Sequence, residues 1–140
     1  MKTRDYNQEL KNTADHKYAY NFDFDVMHPY MINSFEPFFT KGNVLELGSS
    51  LGRFTERLIP FFHDITGVEA SSEAVKECGD RINSKFPQLG AKFVNGLFED
   101  VELNGKYDNV ILTHVLEHLD DPVLVLKRIN DEWLSDNGKF

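Results

Sequence analysis

Cysteine is nearly missing from this chain: Cys78 is the only one among 140 residues. A single thiol excludes an internal disulfide, so a disulfide-stapled secreted scaffold is ruled out and a cytoplasmic setting is the default. Cys78 sits among helix formers, where a packed or surface role is expected ahead of a reactive one. Basic residues are also in short supply, with 15 Lys and Arg against 23 Asp and Glu and a net charge of −8. That balance lacks the broad basic face a nucleic-acid backbone requires, so nucleic acid is not expected as the main partner. No apolar run is long enough to span a membrane, and Met1-Lys2-Thr3-Arg4 leads into polar sequence without the core of a signal peptide. There is no Gly/Pro/Ser tract, no internal repeat and no shift in composition that would mark a second domain. What remains is an ordinary globular composition, 41% hydrophobic and 27% charged, with enough chain to bury one core.

The organising stretch is Asn43-Val44-Leu45-Glu46-Leu47-Gly48-Ser49-Ser50-Leu51-Gly52-Arg53-Phe54-Thr55. Val44 to Leu47 read as a buried strand carrying one acid. Gly48 to Gly52 read as a turn of small residues, and Arg53 to Phe62 as a helix with Leu51, Phe54, Leu58 and Phe61 facing the core. Small residues after a strand let backbone pass close to a ligand, as at the first strand of an open α/β sheet. Glu46 would repel phosphates at such a turn and suits a ligand bearing an ammonium and a sulfonium instead. Arg53 gains nothing from the start of a helix, which leaves a nearby ligand carboxylate or a solvated side chain as its explanation.

This stretch resembles the first motif of the class I S-adenosylmethionine-dependent methyltransferases, hydrophobic-hydrophobic-acid-hydrophobic-Gly-x-Gly-x-Gly. Glu46, Gly48 and Gly52 match it, and Ser50 stands where the middle glycine is usual. The resemblance implies a Rossmann-like doubly wound parallel sheet and a site for S-adenosyl-L-methionine, with S-adenosyl-L-homocysteine as product. Glu46, Gly48, Ser49, Gly52 and Arg53 are its first candidate cofactor-binding residues.

The rest of the chain supplies the alternation such a sheet needs. Residues 1–42 are expected to form an N-terminal helical cap, with weak periodicity over 1–21 and a helix from about His28-Pro29 to Pro37. In the family such helices lie beside the cofactor, so Tyr18 or Tyr20 is a candidate contact; burial against the sheet is the alternative. Strand two, Asp64 to Val68, ends at Glu69, roughly 20 residues beyond Gly48, which suits a carboxylate gripping two vicinal ribose hydroxyls. Ala70 follows it in the site, and the alternative for Glu69 is a helix-start role beside Ser71 and Ser72. Ser72 to Phe86 read as a helix with Ala74, Val75, Cys78 and Ile82 inward. Ala91 to Val94 read as strand three, and the resemblance then makes Leu97 and Phe98 candidates to hold the adenine ring, with Glu99 or Asp100 accepting from its amine. Packing at the sheet edge is the other reading of Leu97 and Phe98.

Tyr107 to Thr113 read as strand four, followed by His114-Val115-Leu116-Glu117-His118-Leu119-Asp120-Asp121-Pro122. Leu-Glu-His-Leu followed by Asp-Pro resembles a signature of family members acting on small molecules. It implies that Thr113 and His114 line the methionine end, while Glu117 and His118 hold the loop. His114-x-x-Glu117-His118 also has the order of an inverted zinc-protease motif, but no third ligand is in view; no metal is expected. Val123 to Trp133 read as a helix with Leu124, Leu126, Ile129 and Trp133 available for packing. Ser135 to Gly138 read as a turn into a fifth strand that barely begins, so the core over 43–140 is expected to be incomplete, with strand order 3-2-1-4 and an open edge at strand four.

The function implied is transfer of a methyl group to a small-molecule acceptor, with the catalytic residue, if any, unassigned and homo-oligomerisation left open. One alternative is an NAD-binding oxidoreductase domain, whose Gly-x-Gly-x-x-Gly fingerprint Gly48 to Gly52 does not reproduce. A second is a catalytically silent domain that binds S-adenosylmethionine or a protein.

Overall fold

The computed structural model describes residues 4–15 and 23–140; Tyr18 and Tyr20 lie outside them. Two helices, α1 (Tyr6–Asp15) and α2 (Phe24–Phe35), precede the first strand. Then come β1 (Val44–Leu47), α3 (Arg53–Leu58), β2 (Ile65–Glu69), α4 (Ser72–Lys85), β3 (Lys92–Asn95), β4 (Tyr107–Leu112), α5 (Pro122–Arg128) and β5 (Leu134–Lys139). All the strand pairings are parallel, and the order across the sheet is β3-β2-β1-β4-β5. The Rossmann-like doubly wound sheet expected from the sequence is the fold.

Period-two alternation on the central strand feeds two cores. Val44 joins Ile32, Phe54, Leu58, Phe62, Ile65 and Ile111 in one cluster. Leu45 and Leu47 join Val68, Phe98, Val110, Val125, Ile129 and Trp133 in the other. On α4 the inward stripe is Ala74, Cys78 and Ile82, all fully buried at four-residue intervals.

Several expectations are corrected. α2 starts at Phe24, not at His28-Pro29, because Asp23 caps it by accepting from the Asp25 amide at 3.0 Å. Pro29 is therefore inside the helix, where it has no amide to offer the carbonyl of Asp25. Residues 6–15 form a helix despite weak periodicity, helped by Asp5, whose carboxylate accepts from the Gln8 amide at 3.0 Å. α3 stops at Leu58, and Phe62 takes the core position while Phe61 is exposed. α5 is shorter than expected and widens into a π-helical turn over Ile129–Trp133. Val125, Ile129 and Trp133 are its buried residues; Leu124 and Leu126 face outward. Ser135 to Gly138 are not a turn but part of β5, which the π turn delivers beside β4, pairing Tyr107 with Leu134. The edge of β4 is thereby covered rather than open.

Asn109 holds the segment before β1 against β4. It is 2% exposed, donates to the carbonyls of Thr40 (3.0 Å) and Asn43 (3.1 Å), and accepts from the Thr40 amide at 2.9 Å. Asn109→Ala strands those backbone groups in a buried setting and is expected to lower unfolding stability by about 2–4 kcal/mol, read from urea midpoints.

Candidate functional site

The carboxyl ends of β1, β2 and β4 meet where the chain order of the sheet reverses, the place an open α/β sheet leaves a crevice. At the end of β1 the chain turns sharply: the Gly48 amide donates to Val68 O at 2.8 Å and the Gly52 amide to Ser49 O at 2.9 Å. Gly48 has φ +87, and a Cβ there would come within 2.4 Å of Val115 Cγ2. Gly52 has φ +79, and a Cβ there would lie 2.8 Å from Cys78 Sγ. Both matched glycines are thus required twice over, by backbone conformation and by close neighbours. Ser50, at the substituted position, takes φ 45 and is exposed.

Glu69 is brought directly to this turn. Its Oε2 accepts from the Ser50 amide at 3.1 Å and its Oε1 from the Ser71 amide at 3.0 Å. Each carboxylate oxygen keeps a second lone pair for a ligand hydroxyl. Glu69 also shares in the start of α4, as its alternative reading had it: it holds the amide of Ser71, and Ser71 caps the helix by accepting from the Ala74 amide at 3.1 Å. Ala70 follows Glu69, and Asn95 Nδ2 donates to both their carbonyls at 2.9 Å. Asn95, a brace the sequence reading missed, shows in the sequence only as a polar residue ending β3.

Glu46 lies beneath the turn, not at its open face: it is 2% exposed, and Thr55 Oγ1 donates to its Oε2 at 2.5 Å. Burial, reinforced by the charge of Glu69 and opposed by the Thr55 bond, pushes its carboxyl up to about 7. Ser49 is buried beside it, against Gly67, where a Cβ would come within 3.0 Å of the serine's own. Burial also pushes the Cys78 thiol to about 12, which makes it a packing residue. Arg53 is exposed, with its guanidinium 5.9 Å from the centre of the Phe24 ring.

The remaining candidates divide. Thr113 and His114 leave β4 beside the first turn, His114 with φ 55, and Val115 packs on Gly48. Leu97 is half-buried after β3, whereas Phe98 is 7% exposed and belongs to the core. His114 and His118 do not share a helical face: Leu116–His118 is a single 3₁₀ turn that begins after His114. No group of His, Cys, Asp and Glu suited to a metal occurs among the described residues.

The N-terminal segment also reaches the site. Arg4 donates to His118 O at 2.9 Å and to Asp120 at 3.2 Å, so it is Arg4 that grips the loop at His118. Asn7 Oδ1 accepts from Ser71 Oγ at 2.7 Å and from the Glu73 amide at 3.2 Å. Between them lies a cavity of about 460 Å³ lined by Arg4, Asp5, Tyr6, Asn7, Ala70 and Ser72. Asp5-x-x-Gln8, spaced like a capping box, was the available signal that a helix starts here.

A family model described as a methyltransferase domain matches residues 20–140. The chain belongs to this family. The oxidoreductase alternative falls with that match. Nodulation protein S of Azorhizobium caulinodans is 34% identical over 103 residues, covering 72% of this chain and 48% of the relative. Alpha N-terminal protein methyltransferase 1 of Caenorhabditis elegans is 33% identical over 82 residues, covering 58% of this chain and 35% of the relative. An S-adenosylmethionine-dependent methyltransferase from Clostridium acetobutylicum superposes with a TM-score of 0.75 at 18% identity, over 94% of this chain and 54% of that one. The chain spans about half the length, or less, of these two curated relatives.

Two outcomes follow from the geometry. Gly48→Ala combines positive φ with the Val115 contact and is expected to cost about 1–3 kcal/mol, with Val115→Ala in the same chain returning part of it, measured by denaturant unfolding. Between the ordinary value of 4.5 and about 7, folded Glu46 keeps a proton that the unfolded chain releases. Its contribution to stability therefore falls as pH rises through that window, and Glu46→Gln is expected to flatten the dependence in unfolding curves taken across it.

Proposed function

We propose that this methyltransferase domain binds S-adenosyl-L-methionine and transfers its methyl group to a small-molecule acceptor. The observation that carries the reading is the Glu69 carboxylate, held at the end of β2 against the Gly48–Gly52 turn with lone pairs to spare. The donor set fits the cofactor: a carboxylate for paired ribose hydroxyls, set beside a turn whose two glycines let it lie against Val115 and Cys78. In this reading Glu69 holds the ribose, Gly48, Ser49, Gly52 and Ala70 present backbone at short range, and Leu97 covers the adenine. Thr113 and His114 line the methionine end, Arg53 is the candidate partner of its carboxylate, and Glu46 acts on its positive charge from beneath the turn. Phe98 supports the adenine turn from the core.

When bound, S-adenosylmethionine supplies a methyl group already activated by a positive sulfur, leaving S-adenosyl-L-homocysteine after transfer. The chain's own contribution is then alignment of the acceptor and exclusion of water, and no residue is assigned as a general base. A small acceptor is supported by the net charge of −8, which lacks the broad basic face a nucleic-acid backbone requires. A protein amino terminus is the second acceptor class, favoured by the 33% identity to a protein methyltransferase. We further propose residues 1–42 as a cap on the core at 43–140, and a cytoplasmic setting; no helix among the described residues is long and apolar enough to cross a membrane.

Calorimetric titration tests the cofactor. S-adenosylhomocysteine is expected to bind and NAD not, and Glu69→Ala to weaken binding about tenfold or more through loss of a charge-assisted contact. Folded protein that ignores S-adenosylhomocysteine, or that binds NAD in its place, would overturn the reading. Binding without methyl transfer to either acceptor class would favour a catalytically silent domain.

A further inference from the structure

Arg128 stands at the end of α5, far in sequence from every residue assigned above, and its side chain is 12% exposed. Nη1 donates to Phe98 O at 2.7 Å and Nη2 to Val101 O at 2.8 Å. Nε and Nη2 also bond Glu132, at 3.0 and 2.7 Å, and the guanidinium lies 4.7 Å from the centre of the Trp133 ring. The π-helical turn over Ile129–Trp133 brings Glu132 and Trp133 around it. A guanidinium so surrounded has its plane set by an ion pair and by an aromatic ring, leaving a rigid pair of donors aimed at two carbonyls.

Those carbonyls belong to the turn that follows β3. That turn closes on Leu97, whose carbonyl accepts from the amides of Asp100 (3.1 Å) and Val101 (2.8 Å). Phe98 and Val101 root it in the core, at 7% and 8% exposure. Glu99 sits between them, half-buried. The turn thus has a core side and carbonyls clamped by one side chain from α5.

We propose that Arg128 is a positioning residue for the adenine end of the cofactor site, setting the conformation of Leu97–Val101 through the carbonyls of Phe98 and Val101. This rests on the cofactor reading above. Arg128 touches no reacting atom; it acts through the turn that would meet the base. Lysine cannot replace it, because one ammonium has no planar fork with which to hold two carbonyls and a carboxylate at fixed angles.

The test is calorimetry with two probes, S-adenosylhomocysteine and S-inosylhomocysteine, whose bases differ along one edge: a 6-amino donor and N1 acceptor in the first, a 6-oxo acceptor and N1–H donor in the second. Wild-type protein is expected to favour the adenine probe by about tenfold or more, the cost of a mispaired polar edge. Arg128→Lys and Arg128→Gln are expected to erase most of that preference while the fold remains. Amide exchange adds a readout without ligand: Asp100 and Val101 should lose protection in both variants while β1 and β4 keep theirs. If Gln fails to fold, Lys carries the test. Variants that keep the preference, or that weaken both probes equally, overturn the proposal, because Arg128 is then a general stabiliser. A wild type that binds both probes equally also overturns it, by removing the turn from base recognition. A wild type that binds neither overturns the cofactor reading and this proposal together.

Discussion

The carboxyl end of this sheet depends on one carboxylate serving two backbone amides. Glu69 takes the Ser50 amide from the turn after β1 and the Ser71 amide from the start of α4. Charge-assisted bonds of this kind are stronger than neutral ones, and here they join two segments that parallel pairing alone would leave apart. Further contacts stack on that joint: Asn95 on the carbonyls of Glu69 and Ala70, and Asn7 on Ser71. The same charge bears on Glu46 below, one of the reasons that carboxyl is pushed upward. One acid faces outward and is available to a ligand, while the other is buried and biased towards its neutral form.

The glycines and the joint work together. Gly48 lets the first turn lie against Val115, so the loops leaving β1 and β4 are packed on each other. Gly52 lets α3 begin against Cys78 of α4. Both close approaches narrow the crevice from the sides, and they explain why a cysteine with no chemical role is buried at that position. Its size and apolar character suit a gap that a larger side chain would overfill.

The two flanks of the crevice are further linked by the first described residues. Arg4 reaches the loop at His118 and Asp120, and Asn7 reaches Ser71 and Glu73. These are mostly solvent-reached polar contacts, each worth at most about 1 kcal/mol, so the link is set by geometry more than by strength. α5 contributes differently. Val125 of α5 and Ile129 and Trp133 of the π turn that follows are buried, while Arg128 directs its donors to the turn after β3. Apolar burial fixes where the helix lies, and the guanidinium transmits that placement to a loop near the site.

The fold and the turn that follows β1 were legible in the residues because the patterns that mark them are local. Val44 to Leu47 is an apolar run with a small-residue turn after it, and Glu69 follows at the interval that a strand–helix–strand unit imposes. The order of the first four strands came from the same alternation and from the family resemblance. What the linear chain did not carry depends on partners distant in sequence. Glu46 and Phe98 are both buried, Glu46 because β1 is central in the sheet and covered on both faces, and Phe98 because the turn after β3 roots it in the core. Leu124 and Leu126 read as core, but the π turn places Val125, Ile129 and Trp133 against the sheet. Ser135 to Gly138 have the composition of a turn, and only the bare edge of β4 made them a strand. Local pattern decided which segments are strands and helices; long-range hydrogen bonding and packing decided which side chains face the crevice, since neither has a period in the sequence.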